Sequence, residues 1–142
     1  MTGGPDLPLT RKLSHLVALL PGEIAVLHEF QSSPRRVARG REVVVEGRKY
    51  ESLMVLLEGT AVRYRVLQDG RRQILNVILP GDFIGFPGCL FENALYSIAT
   101  LNDCSVSPVP FVRFLGLSTT HPRLASLIFW SLSARRRCMP SI

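Results

Sequence analysis

The chain has 142 residues, 46% hydrophobic and 20% charged, with 17 Lys and Arg against 11 Asp and Glu for a formal net charge of +6. That length and mixture point to one domain able to bury a core without metals or disulfides, and they exclude a disordered tail. No stretch reaches the roughly 18 apolar residues needed to span a bilayer.

Met1 to Thr10 carry two glycines and two prolines and read as part of a flexible lead-in over residues 1–12. Leu13, Leu16, Val17 and Leu20 recur at helical spacing, and Pro21 is expected to stop that helix. Ile24, Leu27 and His28 continue a second helix to about Phe30. From Arg41 the period changes. Val43 to Val45 and Leu53 to Leu57 are short apolar runs closed by Gly47 and by Glu58-Gly59.

The cleanest alternation follows. Val62, Tyr64 and Val66 share one face and Arg63 and Arg65 the other, the pattern of a half-buried strand with its apolar face inward. Asp69-Gly70 suits a hairpin turn, and Ile74 to Leu79 returns as the partner strand before Pro80-Gly81-Asp82. Ser97 to Leu101 and Cys104 to Val109 make two more strands, with Pro108 and Pro110 expected at an edge because proline cannot donate to a ladder. Helical period returns at Phe111 to Leu117 and again along Leu124, Leu127, Ile128 and Leu132. Helices, short strands between turn signals, then helices imply a mainly β fold with flanking helices: an antiparallel β-roll or jelly roll.

The chemistry the chain lacks is equally informative. Cys89, Cys104 and Cys138 are odd in number and widely spaced, so a disulfide framework and a C-x-x-C site are excluded and a reduced, cytoplasmic setting is expected. His15, His28 and His121 form no metal-ligand motif, and there is no G-x-S-x-G and no P-loop. A cupin-like enzyme would need histidines on inner strands, and none lies between His28 and His121. No catalytic residue, metal site or enzymatic activity is therefore expected. The basic residues cluster at Arg35 to Arg41 and Arg135 to Arg137 without interleaved aromatics, which fits a solvated face better than a nucleic-acid platform.

The ordered set Leu56-Leu57-Glu58-Gly59, Asp69-Gly70-Arg71-Arg72-Gln73 and Leu79-Pro80-Gly81-Asp82-Phe83-Ile84-Gly85 resembles the N-terminal sensor domain of the Crp/Fnr family of bacterial transcription regulators, a cyclic-nucleotide-binding β-roll. The resemblance runs from about Leu13 to about Trp130. It implies a sensor roll over 13–120, then a homodimer helix and a helix-turn-helix domain; here 121–142 reads as a truncated dimer helix and tail. Sequence-specific DNA binding by this chain is not expected, since no recognition helix follows. It also implies an iron–sulfur cluster in oxygen-sensing members, held by N-terminal cysteines that this sequence lacks before Cys89.

In cyclic-nucleotide binders of the family, the segment after Gly85 supplies a glutamate for the ribose and an arginine for the phosphate. By position Phe86 takes the glutamate's place and Tyr96 the arginine's, with Ser97 matching the hydroxyl residue that follows. Burying a phosphate without a cation is costly, so this substitution predicts weak or absent cyclic AMP binding and no cofactor. Gly85, Phe86, Gly88, Cys89, Leu90, Tyr96 and Ser97 are the candidate pocket for a small-molecule effector, either as an apolar site or as a cavity filled by its own side chains. Leu124, Leu127, Ile128 and Leu132 are the candidate dimer seam, the alternative being a helix packed on its own roll. The expected function is ligand sensing without the DNA-binding half. The rival is a stand-alone interaction module pairing with a full-length relative.

Overall fold

The computed structural model describes residues 7–86 and 93–137. Its elements are α1 (Pro8–Ser14), α2 (Pro21–Phe30), β1 (Arg35–Val37), β2 (Glu42–Val44), β3 (Ser52–Glu58), β4 (Ala61–Val66), β5 (Arg72–Ile78), β6 (Phe83–Ile84), β7 (Ser97–Thr100), β8 (Cys104–Pro110), α3 (Phe111–Thr120) and α4 (Pro122–Arg137). Every strand pair is antiparallel. One sheet runs β1-β8-β3-β6 and the other β2-β7-β4-β5, which is the expected roll between helical ends.

β3 explains the layering. Its unbroken apolar run suits a strand covered on both faces. Leu53 and Val55 join Phe83, Val109 and residues of all four helices in one core. Leu56 joins Ile84, Val106, Ile78 and Ile98 in a second core between the sheets. Helices, first sheet and second sheet thus stack as three layers.

The amino end departs from the sequence reading. The first helix starts at Pro8 and ends at Ser14, so the lead-in assigned to residues 1–12 already belongs to the fold from Pro8 on. Leu9, Thr10 and Leu13 are buried, the Leu9 N–H donates to Gln31 Oε1 at 2.9 Å, and Gln31 Nε2 donates to Thr10 Oγ1 at 3.0 Å. Leu16 and Leu20, expected on this helix, are exposed. Pro21 opens α2 instead of closing α1, because its missing N–H costs nothing in the first turn.

α1 also reads the Pro80-Gly81-Asp82 turn. Gly81 holds φ +93°, and a Cβ there would come within 3.0 Å of the Pro8 carbonyl oxygen, so the close approach needs glycine. Lys12 Nζ donates to Asp82 Oδ1 at 2.8 Å, while Asp82 Oδ2 accepts the Leu79 N–H at 2.9 Å. β8 has β1 beside it only over Cys104 to Val106. Pro108 and Pro110 lie beyond that pairing, on the half of the strand where one side carries no ladder, as expected.

Candidate ligand site in the β-roll

The largest correction concerns β4. Its alternation is real, but the faces are reversed. Arg63 pairs with Ile98 of β7, and directly opposed residues of an antiparallel pair share a face. Ile98 lies in the core between the sheets, so Arg63 points into the roll. Its guanidinium carbon stands 4.3 Å from the centroid of the Tyr96 ring, and its Nε is buried.

Val62 and Tyr64 instead pair with Ala99 and Ser97 and form a small cluster with Ala99 on the outer face of the second sheet. Tyr64 is only 1% exposed there, because charged side chains cover it. The Arg72 guanidinium lies 4.5 Å from its ring centroid, and its hydroxyl donates to Glu42 Oε2. Burial, reinforced by the Glu42 carboxylate, pushes the Tyr64 phenol above its ordinary pKa.

The candidate pocket residues separate. Gly85 turns the chain at the end of β6 with φ +98°. Phe86 does not face the roll interior. Its ring lies 5.8 Å from Phe114 of α3 and 5.6 Å from Phe129 of α4, in the helix-side core. Tyr96 does belong to the interior, and its hydroxyl donates to the Phe86 carbonyl oxygen at 2.6 Å. Ser97 turns to the outer face, where its Oγ accepts the Glu46 N–H at 2.9 Å. Gly88, Cys89 and Leu90 lie outside the described residues.

No local signal marked Arg63: Ala61, two residues earlier, shares its face, but alternation alone does not say which face is inner. Cys104 is buried under that turn, its thiol within 3.5 Å of the Thr60 carbonyl oxygen, and burial raises its pKa. Among the described residues no three of His, Cys, Asp and Glu come together as a metal site, and no helix is long and apolar enough to cross a membrane.

The helical stripe is mostly turned inward. Leu124 and Ile128 are buried in the helix-side core and Leu132 packs against it, with Leu127 partly covered. The seam expected from these residues therefore packs on the chain's own roll. Phe129 and Trp130 are the exposed aromatics of α4, at 44% and 58%.

The cyclic nucleotide-binding domain family matches residues 34–121. The transcriptional activatory protein AadR of Rhodopseudomonas palustris is 37% identical over 90 residues, 61% of this chain and 38% of that protein. The nitrogen fixation regulation protein FixK of Bradyrhizobium diazoefficiens is 36% identical over 96 residues, 66% of this chain and 40% of that protein. The chain thus spans well under half the length of these curated relatives. The catabolite activator protein of Thermus thermophilus superposes with a TM-score of 0.73 at 21% identity, covering 88% of this chain and 58% of that one, a likeness of fold. The chain belongs to the cyclic nucleotide-binding domain family, and its homologues are regulators of the Crp/Fnr type.

Proposed function

We propose that the chain is the ligand-sensing part of a Crp/Fnr-type transcription regulator whose roll has lost the cyclic-nucleotide chemistry of the family. One observation carries this reading: the two positions that would grip ribose and phosphate are tied to each other. Phe86 sends its ring into the helix-side core, and its carbonyl oxygen is taken by the Tyr96 hydroxyl. Neither offers the carboxylate or the paired guanidinium donors that the cyclic nucleotide needs. Loss of a charge-assisted pair costs about 2 kcal/mol or more of binding.

Sensing works in such a domain by population shift, an effector in the roll favouring one placement of the helix that follows. Phe86 suits that role, since it touches α3 and α4 while hydrogen-bonded to a residue of the roll interior. The exposed Phe129 and Trp130 favour a second copy packing along α4, with Leu127 beside them. Calorimetric titration of cyclic AMP tests the reading. No saturable heat is expected, and a micromolar dissociation constant overturns it.

A further inference from the structure

We propose that the free edge of β5 docks an extended segment of another protein, one that alternates apolar and acidic residues and joins the β2-β7-β4-β5 sheet as a further strand. The inference goes beyond the sensor reading, since it concerns the outside of the roll. Each sheet has two edges. β1 and β2 are three residues long and β6 two, lengths that offer little backbone to another chain. β5 is seven residues long and contains no proline, glycine or lysine. Among the described residues it has β4 on one side and no strand on the other. The bulge at Leu75, between the Tyr64–Ile74 and Arg63–Asn76 pairs, bends this edge without shortening it.

Backbone and side chains of the edge are both presented. At the hairpin the Leu67 N–H donates to the Arg71 carbonyl oxygen at 2.7 Å. Alternation from that bonded pair turns the N–H and C=O groups of Arg72 and Ile74 away from β4. Ile74 is 55% exposed, and Val66, diagonal to it on the same face of the hairpin, is 56% exposed. Leu75 is exposed as well. Adjacent apolar side chains beside outward-facing backbone suit the addition of a strand.

Charge selects the occupant. Arg65, Arg71 and Arg72 are exposed on the hairpin, and its one acidic residue, Asp69, is held by Arg71 at 2.7 Å. A second copy would bring the same arginines, on a chain that already carries +6. Acidic residues facing Arg72 and Arg65 meet charges of opposite sign instead. An anionic lipid surface offers charge and apolar contact but no ladder for the Arg72 and Ile74 backbone.

The test titrates a fluorescein-labelled octapeptide of alternating valine and glutamate with the 142-residue chain, read by fluorescence anisotropy. One companion peptide replaces glutamate by lysine. Another keeps valine and glutamate but carries a methyl group on every backbone nitrogen. A saturable rise is expected with the parent peptide, and binding at least tenfold weaker with either companion. Ile74→Thr, which stays β-branched but loses apolar area, and Arg72→Gln should each weaken binding at least threefold. Val112→Thr, the same kind of change at an exposed position on α3, should leave it unchanged. Circular dichroism checks that all three variants fold.

Methylated peptide that binds as tightly as its parent overturns strand addition, and lysine peptide that does so overturns the charge match. Absence of binding by the unmodified chain overturns the proposal, as does undiminished binding in both Ile74→Thr and Arg72→Gln. Sedimentation of the chain alone as a dimer that Ile74→Thr dissolves would give the edge to a second copy. Capture by phosphatidylglycerol vesicles without peptide binding would give it to a membrane surface. Either result overturns the proposal.

Discussion

The helix-side core and the roll interior lie back to back on the β1-β8-β3-β6 sheet, yet they admit different residues. The first holds Leu, Ile, Val, Ala and Phe, including Leu13, Leu27, Phe114, Leu124 and Ile128. The second mixes aliphatics with Tyr96 and Cys104 and receives the Arg63 side chain. The first also buries a few polar groups in hydrogen bonds, Gln31 with Thr10 and the Leu9 N–H, while Glu23 meets Arg123 and Lys12 meets Asp82 at its rim. An interior filled with branched aliphatics gains close packing and stability. One that contains a cation and a phenol gives up some of that for polar contacts. The comparison sets a core built for holding against one that mixes packing with polar contacts.

The largest effect is expected where holding is strongest. Leu124 is fully buried, and Leu124→Ala should lower the unfolding free energy by about 2–5 kcal/mol in urea titrations. A loss under about 1 kcal/mol would show that α4 is peripheral to this core.

The rim should give less. The Glu23 side chain is 4% exposed, and its Oε1 accepts both the Leu20 N–H at 2.9 Å and Arg123 Nη1 at 3.0 Å. Arg123 is 45% exposed, so solvent screens much of the pair. Glu23→Ala should cost about 1–3 kcal/mol, chiefly through the helix cap and its neighbours left without an acceptor. Glu23→Gln should recover part of that. Equal losses in both variants would mean that the charge carries the whole effect.

The smallest effect is a slope with pH. Burial raises the Cys104 thiol pKa in the folded chain above its unfolded value near 8.5. Its contribution to stability is therefore complete below about pH 8.5 and is lost as pH rises through the folded value. Tyr64 behaves likewise from about pH 10 upward, its folded pKa being raised by burial and by Glu42. Unfolding free energy measured from pH 8 to 10 should fall more gently in Cys104→Ala than in the unmodified chain. Parallel slopes would show that the thiol is not desolvated.

Much of the architecture could be read from residue order. The Asp69-Gly70 hairpin, the β3 run and the α2 and α4 periods are local patterns, and their elements stand where expected. What escaped depends on distant partners. Period-two alternation in β4 distinguishes two faces without saying which is inner. Here Tyr64 misleads most, because Glu42 and Arg72, on β2 and β5, supply the cover that buries it on the outside. Two-residue β6 and the arginine-rich β1 are too short and too polar to announce themselves, and each exists through pairing with β3 or β8. Lys12 and Asp82, 70 residues apart, give no local signal at all.

In the candidate site, Tyr96 could be identified by its place after the Pro-Gly-Asp-Phe-Ile-Gly motif. The direction of Phe86 could not, since it follows from the ring positions of Phe114 and Phe129 on helices far downstream in the chain.

The division between the two cores is tested most directly by placing Arg63→Gln and Leu124→Ala side by side in urea titrations. Leu124→Ala is expected to lose about 2–5 kcal/mol, while Arg63→Gln stays within about 1 kcal/mol of the unmodified chain. An Arg63→Gln protein that is as destabilised as Leu124→Ala would contradict it.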